Sequence, residues 1–290
     1  MKKIFLRNKL VPASQAKVPV LDRGFLYGDG VYEAVRIYQG KIFRAEEHWR
    51  RLGQSLRAVH MKIPWSHGYL TQACLKTARA NALPEALARV TISRGVGDLG
   101  YDPSTCGRPT LTVIAAEVRP DLPQLWERGV KAALVSIRRN HVLSLNPAIK
   151  HTNALNGILA KIESLRAGAF EGVLLNLEGY VTEGTISNIF MVRRGVLRTP
   201  ALGSGILDGV TRHAVLETAR RSGIKVREDF IRKKELLAAD EIFLTSTTME
   251  VMPVVNIDGR KVGPGTPGPV TRLLQKRFRG LVAKELNVDV

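Results

Sequence analysis

Apolar residues recur along this chain with two different periods, and the places where one gives way to the other outline its elements. Ile4-Phe5-Leu6 and Val31 to Tyr38 alternate in the way half-buried strands do. Gln39-Gly40-Lys41 then predicts a hairpin turn into Ile42-Phe43. Between Glu46 and Val59 the apolar positions Trp49, Leu52, Leu56 and Val59 keep helical spacing. Tyr69 to Ala82 repeats that spacing, with Asn81 and Pro84 marking its end. Arg89–Ser93 and Thr110–Ile114 read as strands on either side of the glycine-rich stretch 95–107. Prolines and polar residues over Glu117–Pro123 predict a break in the chain. Beyond it strands and helices alternate. Strands are expected over Val130–Arg138, Val173–Leu177, Ile189–Val192, Glu241–Thr245 and Val251–Ile257, with Asp258-Gly259 as a hairpin turn. Helices are expected over Asn153–Ala167, Val210–Arg221 and Pro269–Leu286. The first of these gathers Leu155, Ile158, Leu159, Ile162 and Leu165 on one side, with Gly168 as its left-handed stop. The expected class is α/β (α+β) in two domains. A smaller N-terminal α/β domain spans 1–118, a linker 119–128, and a larger C-terminal α/β domain 129–290.

Composition changes this picture little. Hydrophobic residues at 44% and charged residues at 24% are ordinary for a globular chain of 290 residues. The two cysteines, Cys74 and Cys106, stand outside any C-x-x-C or Cys/His cluster, and the six histidines show no ligand spacing. No metal is expected. A disulfide stays open, with a reduced chain the simpler reading. The three apolar residues Ile4-Phe5-Leu6 are too short for a signal-peptide core, and no run reaches membrane-helix length. The expectation is therefore a soluble cytoplasmic protein with no membrane partner. Charge is the unusual quantity. Lys plus Arg is 44 against 26 Asp plus Glu, a net +18. Nucleic-acid binding would explain such a balance. However, the basic pairs Arg50-Arg51, Arg138-Arg139, Arg193-Arg194 and Arg220-Arg221 are scattered and not interleaved with aromatics. A solvated basic surface, with some arginines serving small anions, is the better reading.

Four segments of the second half carry candidate chemistry. Lys150 sits in Ile149-Lys150-His151-Thr152-Asn153, after an apolar, turn-rich approach and just before a helix. Alone it would read as a surface lysine; desolvated, its amine is a nucleophile toward aldehydes. Glu183, in Thr182-Glu183-Gly184-Thr185-Ile186-Ser187-Asn188, is either a turn residue or a carboxylate for a ring nitrogen. Asn188 could orient its neighbours or form an Asx turn. The hydroxyls of Thr245-Ser246-Thr247-Thr248 end a strand and could turn the chain or bind phosphate. Gly209-Val210-Thr211 opens a helix whose N-terminus attracts anions, unless Asp208 or Thr211 caps it. An amine, a carboxylate and a phosphate cup are what a pyridoxal 5'-phosphate enzyme requires.

These residues resemble the fold-type IV (class IV) pyridoxal-phosphate aminotransferases, a family that includes branched-chain and D-amino-acid aminotransferases and aminodeoxychorismate lyases. The resemblance runs from Tyr27-Gly28-Asp29-Gly30-Val31-Tyr32-Glu33 through Lys150 and the Glu183 segment to Thr245-Ser246-Thr247-Thr248-Met249-Glu250. Glu47-His48-Trp49-Arg50-Arg51-Leu52 looks like the family's E-H-x-x-R-L. The resemblance implies that Lys150 is the Schiff-base lysine, that Glu183 meets the ring nitrogen and that Arg51 meets the phosphate. It implies that Leu207 lies on the ring face, and that Gly209, Val210, Thr211, Ser246 and Thr247 form the cup, with Ser187 and Asn188 beside it. Tyr27, Tyr32, Arg89, Arg94, Tyr101 and Thr248 become candidate substrate residues. A cofactor at the domain interface, a homodimer and ping-pong transfer between an amino acid and a 2-oxo acid are also implied. The branch stays open. Arg94-Gly95-Val96-Gly97-Asp98-Leu99-Gly100-Tyr101 is similar to archaeal-type branched-chain enzymes, but Leu87 and Leu155 replace their tyrosines. Thr245-Ser246-Thr247-Thr248 looks more like the D-amino-acid branch, and Lys150-His151 like the lyase.

Overall fold

The structure is a computed structural model that describes residues 2–289. The chain divides into two compact units: residues 2–118, 149–154 and 285–289 form the first, and 119–148 with 155–284 form the second.

In the first unit the strands β1 (Lys3–Leu6), β2 (Lys9–Pro12), β3 (Gly30–Tyr38), β4 (Lys41–Ile42), β5 (Ala86–Ser93) and β6 (Thr110–Ala116) form one antiparallel sheet, ordered β2-β1-β6-β5-β3-β4. A five-residue helix, α1 (Arg23–Tyr27), precedes β3. Helices α2 (Ala45–Ala58) and α3 (His67–Ala80) cover one face. Trp49, Leu52 and Leu56 of α2 and Leu70, Cys74 and Ala78 of α3 meet Val31, Val35, Ile37, Val90, Ile92, Leu111 and Val113 in a single core. The alternation along β3 and β5 and the 3–4 spacing along the helices aim these residues at each other. Both cysteines are free, and burial pushes the Cys74 thiol up to about 12.

The second unit holds α4 (Leu122–Arg128), β7 (Val130–Arg138), α5 (Leu155–Arg166), β8 (Glu171–Leu175), β9 (Val181–Gly184), β10 (Asn188–Arg193), β11 (Val196–Pro200), α6 (Val210–Arg221), β12 (Lys225–Asp229), α7 (Lys233–Leu237), β13 (Glu241–Ser246), β14 (Glu250–Ile257), β15 (Arg260–Lys261) and α8 (Pro269–Leu286). Its strands follow the order β12-β11-β10-β13-β14-β7-β8-β9, with β15 on β14. The pairs β11–β12, β14–β7 and β7–β8 are parallel. Because β9 also pairs with β10, the strands β10-β13-β14-β7-β8-β9 close into a ring, and the closing rung is Asn188 opposite Glu183. The mixed α/β class is as expected. Among the described residues no helix is long and apolar enough to cross a membrane.

The structure corrects two expectations. Residues 119–128 are no linker. Leu122 and Leu125 are buried there, and the Trp126 indole N–H donates to the Met249 carbonyl at 2.8 Å, so the segment belongs to the second unit. Residues 149–154 belong to the first unit, because the free edge at the start of β3 pairs with them. Tyr32 N–H donates to Lys150 O at 2.9 Å and Thr152 N–H to Gly30 O at 2.9 Å. The apolar residues of α5 do share one side, and that side points outward: Leu155, Ile158, Leu159, Ile162 and Leu165 are 41–61% exposed. The helix approaches β8 with its small residues instead. A side chain at Gly172 would come within 3.1 Å of Ala160 O and 3.2 Å of Ser164 Cβ. Close approach of the backbones selects the small face, which leaves the larger one outside.

Candidate functional site

In the first unit the candidate residues gather around β3. Lys150 is anchored through its main chain, its N–H donating to Ser55 Oγ at 3.0 Å. Its amine lies 4.5 Å from the centroid of the Tyr32 ring, and the Arg89 guanidinium lies 3.7 Å from the same ring. The Lys150 charge draws the Tyr32 phenol below its ordinary pKa. Burial opposes this, and Arg89 adds to the pull. One residue further on, Glu33 faces the other side of β3 and is wholly buried. It accepts two hydrogen bonds from Arg51, Nε at 2.7 Å and Nη2 at 2.8 Å, and its Oε2 lies 2.9 Å from His48 Nδ1. Burial alone would raise the Glu33 pKa, but the Arg51 charge and the Arg51 and His48 hydrogen bonds hold it well below the carboxylate range. Burial in turn lowers the His48 pKa below its ordinary value, against the pull of Glu33. The fork on Glu33 thus fixes a cationic Arg51 at one place on α2.

In the second unit the ring-closing pair is the centre. Glu183 is buried and accepts from Arg139 Nη2 at 2.8 Å, from Leu207 N–H at 3.0 Å and from Asn188 Nδ2 at 3.2 Å. Asn188 Nδ2 also donates to Leu207 O at 2.9 Å. Asn188 and the α6 N-terminus are so close that a Cβ at Gly209 would lie 2.0 Å from Asn188 Oδ1, so only glycine fits there. Gly209 is the N-cap of α6 and no side chain caps it. Asp208 turns instead to His213, Oδ1 to Nε2 at 2.6 Å. The first N–H groups of α6, at buried Val210 and Thr211, therefore keep their capacity for an anion. At the end of β13, Ser246 Oγ and Thr248 Oγ1 are 2.9 Å apart and Met249 N–H donates to Ser246 Oγ at 3.2 Å. Thr247 lies in the turn between them. The buried Thr245 hydroxyl has no partner among the described residues.

Several sequence candidates are engaged elsewhere. All three nitrogens of the Arg94 guanidinium are used: Nε donates to Asp29 at 2.7 Å, Nη2 to Val59 O at 2.7 Å and Nη1 to His60 O at 3.3 Å. It staples the 94–109 loop to the end of α2, and we assign it to bracing that loop. Tyr27 accepts from Gly100 N–H at 3.0 Å and packs edge-on against exposed Tyr101 in that loop. The Ser187 hydroxyl donates to Glu171 at 3.2 Å. Conversely, Glu33, His48, Arg139 and Glu171 had no role in the sequence reading. Glu33 carried a signal, since a carboxylate inside an apolar strand at an inward position needs a buried partner. Arg139 and Glu171 carried none.

The first unit offers an amine and a fixed arginine, and the second a buried carboxylate and an uncapped helix end; each of these groups suits the chemistry of pyridoxal phosphate. Comparison with known proteins agrees. Residues 30–257 match the model of the amino-transferase class IV family. Over 282 residues the chain is 44% identical to a putative branched-chain-amino-acid aminotransferase of Methanocaldococcus jannaschii, covering 97% of each. It is 33% identical to a D-alanine aminotransferase of Bacillus licheniformis, covering 98% of each. The crystal structure of the branched-chain amino acid aminotransferase from Thermobaculum terrenum in its PLP form superposes with a TM-score of 0.87 at 31% identity, covering 98% of this chain and 94% of that one. The chain belongs to the class IV aminotransferase family.

Proposed function

We propose that this protein is a pyridoxal 5'-phosphate-dependent transaminase that moves an amino group from a branched-chain L-amino acid to a 2-oxo acid. The observation that carries the reading is the Lys150 amine over the Tyr32 ring, beside the Arg89 guanidinium. The 44% identity to the M. jannaschii relative favours the branched-chain branch. The bound cofactor supplies an aldehyde for the amino group and a ring that accepts electrons from the substrate Cα. Lys150 would hold that aldehyde, and its amine would serve as the base for the proton on the substrate Cα. Glu183, steadied by Arg139, Asn188 and the Leu207 N–H, keeps a proton on the ring nitrogen. For the phosphate, the first unit offers Arg51, held by Glu33, and the second offers the α6 N-terminus with Ser246 and Thr247. Arg89 takes the substrate carboxylate, and Tyr32 shapes the space between.

Single-turnover assays of the cofactor-loaded protein with L-leucine, D-alanine and aminodeoxychorismate test the branch. L-leucine should yield its 2-oxo acid fastest. A faster reaction with D-alanine, or release of pyruvate from aminodeoxychorismate, would overturn it. Arg89→Leu should raise the KM of both amino and oxo acids about 10- to 100-fold with a smaller change in kcat, since it deletes one charge-assisted hydrogen-bonding group.

We further propose that the protein works as a homodimer in which a second copy covers the apolar face of α5. An exposed stripe of five large aliphatic side chains on one helix is what an oligomer interface hides. Sedimentation velocity should find dimers of the native chain and monomers of the Ile158→Glu, Leu165→Glu double variant. A variant that stays dimeric would place the interface elsewhere.

A further inference from the structure

Glu171 opens β8 and is almost completely buried, yet all four of its donors are neutral. Oε1 accepts from Gly172 N–H at 3.0 Å, from Thr185 N–H at 3.1 Å and from the Thr185 hydroxyl. Oε2 accepts from Ser187 Oγ at 3.2 Å. Burying a carboxylate costs free energy unless hydrogen bonds replace its water, so this group is tolerated only while its donors stay in place. Three of the four belong to the turn 185–187, the connection between Glu183 on β9 and Asn188 on β10. The turn is tight from both sides. Gly184 N–H donates to Ser187 O at 2.6 Å, and Thr185 N–H also points to Gly172 O at 3.1 Å. A Cβ at Gly184 would lie 2.2 Å from Ser187 Oγ and 3.1 Å from Glu171 Cγ.

We infer that Glu171 is a positioning residue for the carboxylate that faces the cofactor's ring nitrogen. It acts through the Thr185–Ser187 turn, and the inference rests on the role proposed above for Glu183. Gripping the turn sets the register of the rung at which β9 meets β10, and that rung is Glu183 opposite Asn188. If the grip is lost, the turn can slide. The Glu183 oxygens then leave Arg139 and Leu207 N–H, and the ring nitrogen loses its aligned partner.

The test reads binding, not turnover. Apoprotein is titrated, by quenching of tryptophan fluorescence, with pyridoxal phosphate and with its analogue in which the ring nitrogen is replaced by carbon. Wild type should prefer the natural cofactor by about 10- to 100-fold, the worth of one hydrogen bond to a charged group. Glu171→Ala should erase most of that preference while weakening the carbon analogue little. Thr185→Val, which removes one donor and keeps the carboxylate, should erase part of it. Glu171→Gln should keep most of it, since the amide oxygen can take the place of Oε1 and the amide nitrogen can donate to Ser187. A purely structural role would weaken both ligands equally in the Ala and Val variants, and that result would overturn the inference. Should Glu171→Ala fail to fold, Thr185→Val decides alone. A wild type that binds both ligands equally would instead refute the Glu183 assignment itself, and this inference with it.

Discussion

Lys150→Ala should lower turnover on the order of 10⁴-fold, the upper range for loss of a positioned proton-transfer group. On the role proposed for Lys150, the variant should also lose the covalent hold on the cofactor. The fold should survive, because the contacts that seat this segment are made by the main chain. Tyr32 N–H donates to Lys150 O and Lys150 N–H to Ser55 Oγ, whichever side chain is present. The thermal midpoint of the apoprotein should therefore barely move, while single-turnover release of 2-oxo acid disappears. Borohydride reduction of cofactor-loaded wild type, followed by peptide mapping, checks the position. The reduced adduct belongs on the peptide that contains residue 150, and an adduct on any other lysine would end this account of the chemistry.

Glu33→Gln should have the largest effect on stability. It leaves the Arg51 guanidinium buried without its counter-charge, and breaking such a pair from one side costs about 3–5 kcal/mol. At that size the apoprotein should melt about 10 °C lower. Pyridoxal phosphate should also dissociate more readily, since the fork that aims Arg51 is gone. The double variant Glu33→Leu, Arg51→Met separates the two consequences. With both charges removed, most of the stability should return while cofactor retention stays weak. A single variant as stable as wild type would show that the pair is not what holds α2 on β3. The pH dependence has a definite sign. Glu33 is held below its unfolded pKa of 4.5, so its contribution is complete above that value. It fades as the pH falls from 4.5 toward the folded pKa. His48 acts in the same direction from its unfolded value of 6.5 downward, because the unfolded chain takes a proton there that the buried ring refuses. Chemical denaturation between pH 7 and pH 3 should show wild-type stability falling with acid, and a shallower slope below 4.5 in Glu33→Gln.

Local pattern was enough for most elements, and least reliable where an element's partner lay far away in sequence. The helices over Val210–Arg221 and Pro269–Leu286 begin and end where their punctuation places them. The strand Val130–Arg138 does so too. The short strands β2, β9, β11 and β12 were missed. Each has only four or five residues, and pairing with neighbours rather than its own pattern makes it a strand. The helix α5 shows a different limit. Its period was legible in the sequence and its direction was not, since an apolar stripe marks only the face that avoids water and not what covers it.

The same division runs through the site. Which residue types are available for chemistry was written in the order of the chain: the lysine before a helix, the Thr-Glu-Gly segment, the hydroxyl-rich strand end and the E-H-x-x-R-L stretch. Those are short-range facts, legible because spacing along the backbone is itself geometry. Which charges meet was decided only in three dimensions. Arg51 was drawn to Glu33, Arg139 to Glu183 and Arg94 to Asp29. Nothing local separates these arginines from the many others in a chain of net charge +18. An ion pair depends on through-space distance and burial, and both are products of the completed fold.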